Sequence, residues 1–177
     1  MKSFLLRSSI LNLSLLLLFA CGSGGGSTGG GSTTSAPTSA IVRVNLDGSL
    51  VAGKAIAGAG FTVTLPANVT PALTGGAVAS GVVTLSGTFA SSSIAPIVNY
   101  TPASGAVPGS MQVILSDSSA NGITSVGEVA TITLQLANGV TPVTANFTAD
   151  TASVTVIDTL GTSLPGMTVS VASVKMQ

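Results

Sequence analysis

Several short segments of the chain alternate apolar and polar residues with a period of two, and this pattern constrains the fold more than any other feature. Successive side chains of a β-strand point to opposite faces of the sheet, so the alternation predicts strands with one buried and one solvated face. No segment shows helical periodicity with a capping residue at its start. The clearest strands are residues 42–46, 61–65, 111–113 and 130–136, and further candidates are 82–85, 94–98, 143–148, 153–158 and 167–174.

Turn-forming residues separate these segments. The pairs Asp47-Gly48 and Asn138-Gly139 favour tight hairpins, because both residue types tolerate positive φ. Residues 86–93 fit either a loop or a weak edge strand. About nine short strands joined by such turns predict an all-β domain over residues 41–177, folded as an antiparallel jelly roll or immunoglobulin-like β-sandwich.

The N-terminus has the layout of a signal peptide over residues 1–20. Lys2 and Arg7 form a short positive region, and a mostly apolar stretch follows at residues 10–20. A membrane-spanning helix needs about 20 mostly apolar residues, roughly twice the length of this stretch. We therefore expect an export signal here and not a transmembrane anchor.

The residues around the sole cysteine are more specific. Leu18-Phe19-Ala20-Cys21 resembles the bacterial lipobox. That resemblance implies that the Cys21 sulfur carries a diacylglycerol and that the mature protein stays on a membrane through a lipid anchor. Gly22 follows the cysteine where inner-membrane retention usually shows Asp, which points to the outer membrane without indicating the face. The alternative is an ordinary signal peptide that leaves Cys21 as a free thiol.

Residues 21–40 predict a flexible tether between anchor and domain. After the cysteine they are rich in Gly, Ser and Thr and show no apolar periodicity. A chain of this composition behaves as a random coil with a root-mean-square span of about 25 Å. We expect it to hold the folded part clear of the membrane.

The charge pattern excludes several classes of function. The chain contains no His, which removes catalysis and metal binding that depend on imidazole. Only 6% of the residues are charged, and outside the leader three basic residues face five acidic ones. No basic stripe exists to follow a phosphate backbone, so nucleic acid is not an expected partner.

Three strand-and-turn phrases resemble cohesin-like domains: GFTVTLPANV at 60–69, NYTPASG at 99–105 and NGITSVGEVATITLQLANG at 121–139. The resemblance implies a nine-stranded jelly-roll sandwich related in fold to carbohydrate-binding modules. It also implies docking onto dockerin modules of secreted enzymes. No motif assigns partner-contacting residues, and fold transfers more safely than partner.

One loop carries the spacing of a calcium site. Asp117, Ser119, Asn121 and Glu128 place oxygen atoms at positions 1, 3, 5 and 12 of a twelve-residue loop with Gly122 at position 6. The flanking segments predict strands, where an EF-hand has helices. A polar hairpin connection without metal explains the same residues, with Asp117 and Asn121 bonding nearby amides.

Sugar binding by sandwich modules usually needs exposed aromatic rings. The domain has four, Phe61, Phe89, Phe147 and Tyr100, of which Phe61 and Phe147 fall on strand patterns and are expected in the core. Tyr100 is the one candidate for a glycan-binding ring, or else it ties down a loop through its hydroxyl.

The sequence predicts a lipid-anchored, extracytoplasmic binding module without catalytic residues. We expect it in the cell envelope, on the outer membrane or at the cell surface. Its expected partner is a dockerin-like protein. The alternatives are a carbohydrate-binding module that recognises a polysaccharide, or a structural surface protein that associates with itself through open edge strands. Calcium is the only cofactor that the residues suggest.

Overall fold

The computed structural model describes residues 35–177, which form one compact unit. Its secondary structure is almost entirely β. In chain order the strands are β1 (Ser39–Asp47), β2 (Ile56–Thr64), β3 (Val69–Pro71), β4 (Leu73–Thr74), β5 (Ala77–Val78), β6 (Val83–Leu85), β7 (Ile97–Thr101), β8 (Ser110–Ser116), β9 (Gly127–Leu136), β10 (Thr148–Asp158) and β11 (Thr168–Met176).

Nine of these strands form two antiparallel sheets. The first sheet has the order β11-β1-β9-β3, and β6 pairs with β9 beside β3. The second sheet has the order β10-β2-β8-β7. A small hairpin of β4 and β5 stands apart from both. The predicted all-β antiparallel sandwich is confirmed.

The core lies between the two sheets and follows directly from the alternation. On β1 the side chains of Val42, Val44 and Leu46 are fully buried, while the residues between them are partly or fully exposed. The same pattern buries Phe61 and Val63 on β2. Burying a large apolar side chain contributes about 1.5–3 kcal/mol, so each strand is held mainly by its inward face.

Two predicted strands differ from the structure: one is largely replaced by a turn, and the other is shifted along the chain. Residues 143–148 were expected to be a strand, but Thr144–Asn146 form a 3₁₀ turn, because the Asn146 side chain accepts a hydrogen bond from the Val143 amide at 2.8 Å. The strand expected at 94–98 runs over Ile97–Thr101. Proline has no N–H to donate to a sheet, so Pro96 precedes this strand and does not lie within it.

The uncertain segment 86–93 forms a 3₁₀ turn at Gly87–Phe89. The Phe89 ring has no exposed surface and belongs to the core. Gly87 allows this arrangement, since it has a φ of 51° and a Cβ there would lie 2.1 Å from the Glu128 carbonyl oxygen. The turn therefore supplies a large core side chain without being a strand.

The tether is shorter at its C-terminal end than the sequence predicts. Residues 39 and 40 were expected in the linker, but β1 begins at Ser39 and Ala40 is fully buried. The amides of Thr38 and Ser39 donate to the Gln177 carbonyl oxygen at 2.9 and 3.2 Å, which joins the start of the strand to the end of the chain. The predicted signal peptide, Cys21 and most of the linker lie outside the described residues.

We predict that Phe89→Ala lowers the free energy of unfolding by about 3–5 kcal/mol, because it leaves a ring-sized cavity in the core. Urea denaturation of residues 35–177 measures this change. Phe89→Leu fills most of the space and should cost clearly less. A loss below about 1 kcal/mol for Phe89→Ala would place the 86–93 segment outside the stabilising core.

Candidate docking face

The outer face of the second sheet carries a shallow trough. It lies over β2, between outward side chains of β10 on one side and of β8 on the other. In one row across the sheet, Gly60 of β2 lies between Thr155 of β10 and Ile114 of β8. In the next row, Gly58 lies between Ile157 of β10 and Ser116 of β8. The trough is lined by Gly58, Ala59, Gly60, Phe61, Gln112, Ile114, Leu115, Ser116, Ser153, Thr155 and Ile157.

Two glycines create the depression. Gly58 and Gly60 occupy outward positions of β2, so the middle of the sheet has no side chain there, while neighbouring strands present isoleucine and threonine. A Cβ at Gly58 would lie 3.1 Å from the Leu115 carbonyl oxygen, so this position is already crowded. A Cβ at Gly60 would meet only the Thr155 carbonyl oxygen, at 3.9 Å. Position 60 therefore has room for a larger side chain, and a glycine there leaves the trough open.

An irregularity in β10 shapes one end of the trough. The pairing of β10 with β2 breaks between Asp150 and Thr155. The Ser153 hydroxyl accepts a hydrogen bond from the Thr62 amide at 3.1 Å and donates one to the Asp150 carbonyl oxygen at 2.8 Å. The side chain thereby satisfies an amide that the interrupted ladder leaves free, and it places a hydroxyl at the rim.

The trough is apolar and uncharged. Its exposed aliphatic groups are Ile114 and Ile157, which are 38% and 37% exposed, and its polar groups are hydroxyls and the Gln112 amide. The carboxylate of Asp150 lies beyond the rim and accepts a hydrogen bond from the Ala152 amide. The volume of about 240 Å³ is below the roughly 300 Å³ at which pockets for drug-sized ligands begin. A trough of this volume can hold one or two amino-acid side chains of a partner.

The aromatic residues do not reach this face as exposed rings. Phe61, Phe89 and Phe147 are at most 5% exposed, which confirms the expectation that Phe61 and Phe147 belong to the core. Tyr100, the candidate for glycan binding, is half-buried on β7 and packs against the core. Within residues 35–177, no aromatic ring offers a fully exposed platform.

A partly buried ion pair connects the loops at the end of β10. The Lys54 ammonium donates to Asp158 Oδ2 at 2.5 Å, and Asp158 is only 2% exposed. The other carboxylate oxygen accepts hydrogen bonds from the amides of Thr162 and Leu160 at 2.8 and 3.0 Å. The Lys54 hydrogen bond above all, and then the Thr162 amide, hold the pKa of Asp158 below its usual range, although burial opposes them.

This arrangement predicts a stability that depends on pH. A carboxylate with a lowered pKa in the folded state stabilises the fold above the ordinary Asp pKa of about 3.9, and this contribution is lost as the pH falls through the folded value. We expect the urea midpoint of residues 35–177 to fall between pH 6 and pH 3, and to fall less in Asp158→Asn.

Asp117→Asn is the matched control for this prediction, because Asp117 is less buried than Asp158 and its side-chain partner is the uncharged Ser119 hydroxyl. It should retain the full pH dependence of the unmodified chain. An equal fall of the midpoint in Asp158→Asn and in the unmodified chain would show that Asp158 does not carry the effect.

The structure does not bring the four residues of the calcium pattern together around one point. Asp117 accepts a hydrogen bond from Ser119, and Asn121 lies in the same exposed turn. The Glu128 carboxylate, at the start of β9, instead pairs with the Arg43 guanidinium at 3.0 Å across the first sheet. Residues 35–177 contain no group of three His, Cys, Asp or Glu side chains arranged to hold a metal ion. The flanks of the loop are the strands β8 and β9, as the sequence predicts.

We predict that millimolar calcium leaves the melting temperature of residues 35–177 unchanged relative to chelator. The Arg43 charge occupies the Glu128 carboxylate and opposes a cation beside it. Differential scanning calorimetry in calcium and in chelator measures the difference. A rise in melting temperature with calcium that disappears in Asp117→Asn would establish the loop as a metal site.

Comparison with protein-family models, with curated proteins and with solved structures finds no match to this chain. In residues 35–177 the structure also has no helix with the length and hydropathy needed to cross a bilayer.

The trough is the feature that sequence reasoning missed. Its signal was present in residues 56–60, where Ile-Ala-Gly-Ala-Gly places two glycines two positions apart just before a clear alternating run. Two glycines at this spacing share one face of a strand. Only the pairing of β2 with β8 and β10 shows that larger side chains stand on both sides of them.

Proposed function

We propose that this protein is a lipid-anchored, extracytoplasmic, non-catalytic binding module that docks a partner protein in the trough of its second sheet. The observation that carries the proposal is a concave, uncharged surface whose floor is glycine and whose walls are isoleucine with hydroxyl groups at the rim. A surface of this kind recognises an aliphatic side chain together with neighbouring backbone, which a protein partner supplies.

A protein partner fits this surface better than a polysaccharide does. Sugar rings stack on exposed aromatic planes, and the aromatic rings of the described residues are buried or half-buried. The depth of the trough suits a branched aliphatic side chain and not a row of pyranose rings. The resemblance of the chain to cohesin-like domains agrees with docking, and a dockerin-like protein is the expected partner.

The arrangement of charged residues favours binding over catalysis. Two of the carboxylates, Asp158 and Glu128, are paired with Lys54 and Arg43. General acid–base chemistry needs a group held at a perturbed pKa within reach of substrate, and the ion pair of Asp158 serves the loops instead. We therefore assign the protein no catalytic role.

The lipobox-like Leu18-Phe19-Ala20-Cys21 supports anchoring through lipid on Cys21, with the domain in the cell envelope on the outer membrane or at the cell surface. Two or more acyl chains give a stable anchor. The tether then joins the anchor to β1. A docking module on such a tether would retain its partner near the membrane.

The decisive variant is Gly60→Leu. Position 60 has room for a side chain without backbone strain, so the substitution fills the trough and leaves the sheet intact. Thr133→Leu is the matched control, because it adds the same side chain to an exposed position of β9 in the other sheet. Both variants should keep the circular dichroism and urea midpoint of the unmodified domain within about 0.5 kcal/mol.

We predict that residues 35–177, immobilised and exposed to the organism's secreted and envelope proteins, retain one protein at stoichiometric level. Isothermal titration with that protein should show at least about tenfold weaker binding for Gly60→Leu and unchanged binding for Thr133→Leu. Equal affinity of all three forms would remove the trough from the interface. Retention of a polysaccharide that is lost in Tyr100→Ala would support the carbohydrate-binding alternative instead.

A further inference from the structure

The charged residues of the domain are unevenly distributed along the chain. Residues 55–116 contain no Asp, Glu, Lys or Arg. This stretch comprises β2 to β8, and it includes the edge of each sheet formed by β3 and β6 in one and by β7 in the other. The opposite edges differ, since β10 carries Asp150 and β11 carries Lys175, and both of these residues are exposed.

This asymmetry is significant because edge strands need protection. An unpaired edge offers free N–H and C=O groups to any other strand, and proteins usually block it with charged side chains, proline or a covering element. The β10 and β11 edges have such charges and also contact each other. The β7 edge has no charge and within the described residues β7 pairs only with β8, although prolines flank the strand and the β4–β5 hairpin contacts it.

Exposed apolar side chains lie on β7 and in the segments before and after it. Ile97 begins the strand and is 59% exposed, Ile94 precedes it, and Val107 lies in the turn that follows it. Leu73 on β4 is half exposed, and its hairpin partner β5 contacts β7. Three of the nine large hydrophobic residues exposed in residues 35–177 therefore lie on β7 or within six residues of it along the chain.

Strand β7 has a proline at the same distance from its centre on each side. Pro96 and Pro102 flank Ile97–Thr101, and each lies three residues from Asn99. An antiparallel pair of two such strands centred on Asn99 places Pro96 of one copy opposite Pro102 of the other, so pairing ends at both prolines together. Ile97 then faces the second copy's Thr101, and the two Asn99 side chains face each other on the outer surface.

We propose that two copies of this chain associate through β7, pairing antiparallel about a two-fold axis at Asn99. The pairing joins the four-stranded sheets of the two copies into one continuous sheet of eight strands. It covers the uncharged β7 edge of each copy. A two-fold contact uses the same patch on each copy and closes on itself, so it yields a dimer and not a fibre. The proposal goes beyond the docking function, since it concerns an edge strand and a second copy of the chain.

The first test is sedimentation equilibrium of residues 35–177, the compact unit that contains the described core. The unmodified domain should approach twice the monomer mass as its concentration rises. Asn99→Lys places two like charges opposite each other at the axis and should raise the dissociation constant of the dimer at least about tenfold. Thr133→Lys, an equal change on the exposed face of β9, should leave it unchanged.

The register is tested by cysteine crosslinking, since residues 35–177 contain no cysteine. Directly opposed residues of an antiparallel pair have Cα atoms about 4.5–5.5 Å apart, within the range that a disulfide spans. Asn99→Cys should form a disulfide dimer on mild oxidation. Ile97→Cys and Thr101→Cys should form little dimer separately and a mixed dimer when they are combined.

Three results would overturn the proposal: a monomer at every concentration, association that persists unchanged in Asn99→Lys, or crosslinking of Ile97→Cys alone that equals that of Asn99→Cys. Gly60→Leu separates this proposal from the docking function, because it should leave dimerisation unchanged while it weakens binding of the partner protein. Loss of dimerisation in Asn99→Lys with intact partner binding would give the converse separation.

Discussion

The structure depends on the packing of two inward-facing sets of apolar side chains, one from each sheet. Because the side-chain period of a strand is two, a register slip of one residue would move a whole set, such as Val42, Val44 and Leu46, from the core to solvent. The core therefore specifies which residues point outward as well as those that point inward. The trough and the β7 edge consist of groups that this packing leaves on the surface.

Four of the eight charged residues in residues 35–177 form two ion pairs. Lys54 and Asp158 tie two loops together at the end of β10, and Arg43 pairs with Glu128 across the first sheet. A surface ion pair contributes little to stability, whereas a buried carboxylate such as Asp158 is costly unless it is paired and hydrogen-bonded. Neither pair belongs to the lining of the trough, which contains no charged side chain.

Sequence patterns identified the strands that have one buried face and failed where other forces decide. The alternating runs became β1, β2, β8 and β9. The short strand β3 was missed because it contains Pro71, which reads as a strand breaker although it is tolerated at a sheet edge. Phe89 lay in a segment without periodicity, and only the approach of Gly87 to the Glu128 backbone explains how its ring enters the core.

The sequence by itself determined the fold class, because alternation and turn chemistry are local properties that are legible along the chain. It also indicated that Phe61 and Phe147 belong to the core. Only the tertiary structure decided that Gly58 and Gly60 lie between larger side chains of neighbouring strands, that Glu128 pairs with Arg43, and that β7 is the last strand of its sheet. Each of these depends on strand order, and strand order joins residues that are far apart in the chain.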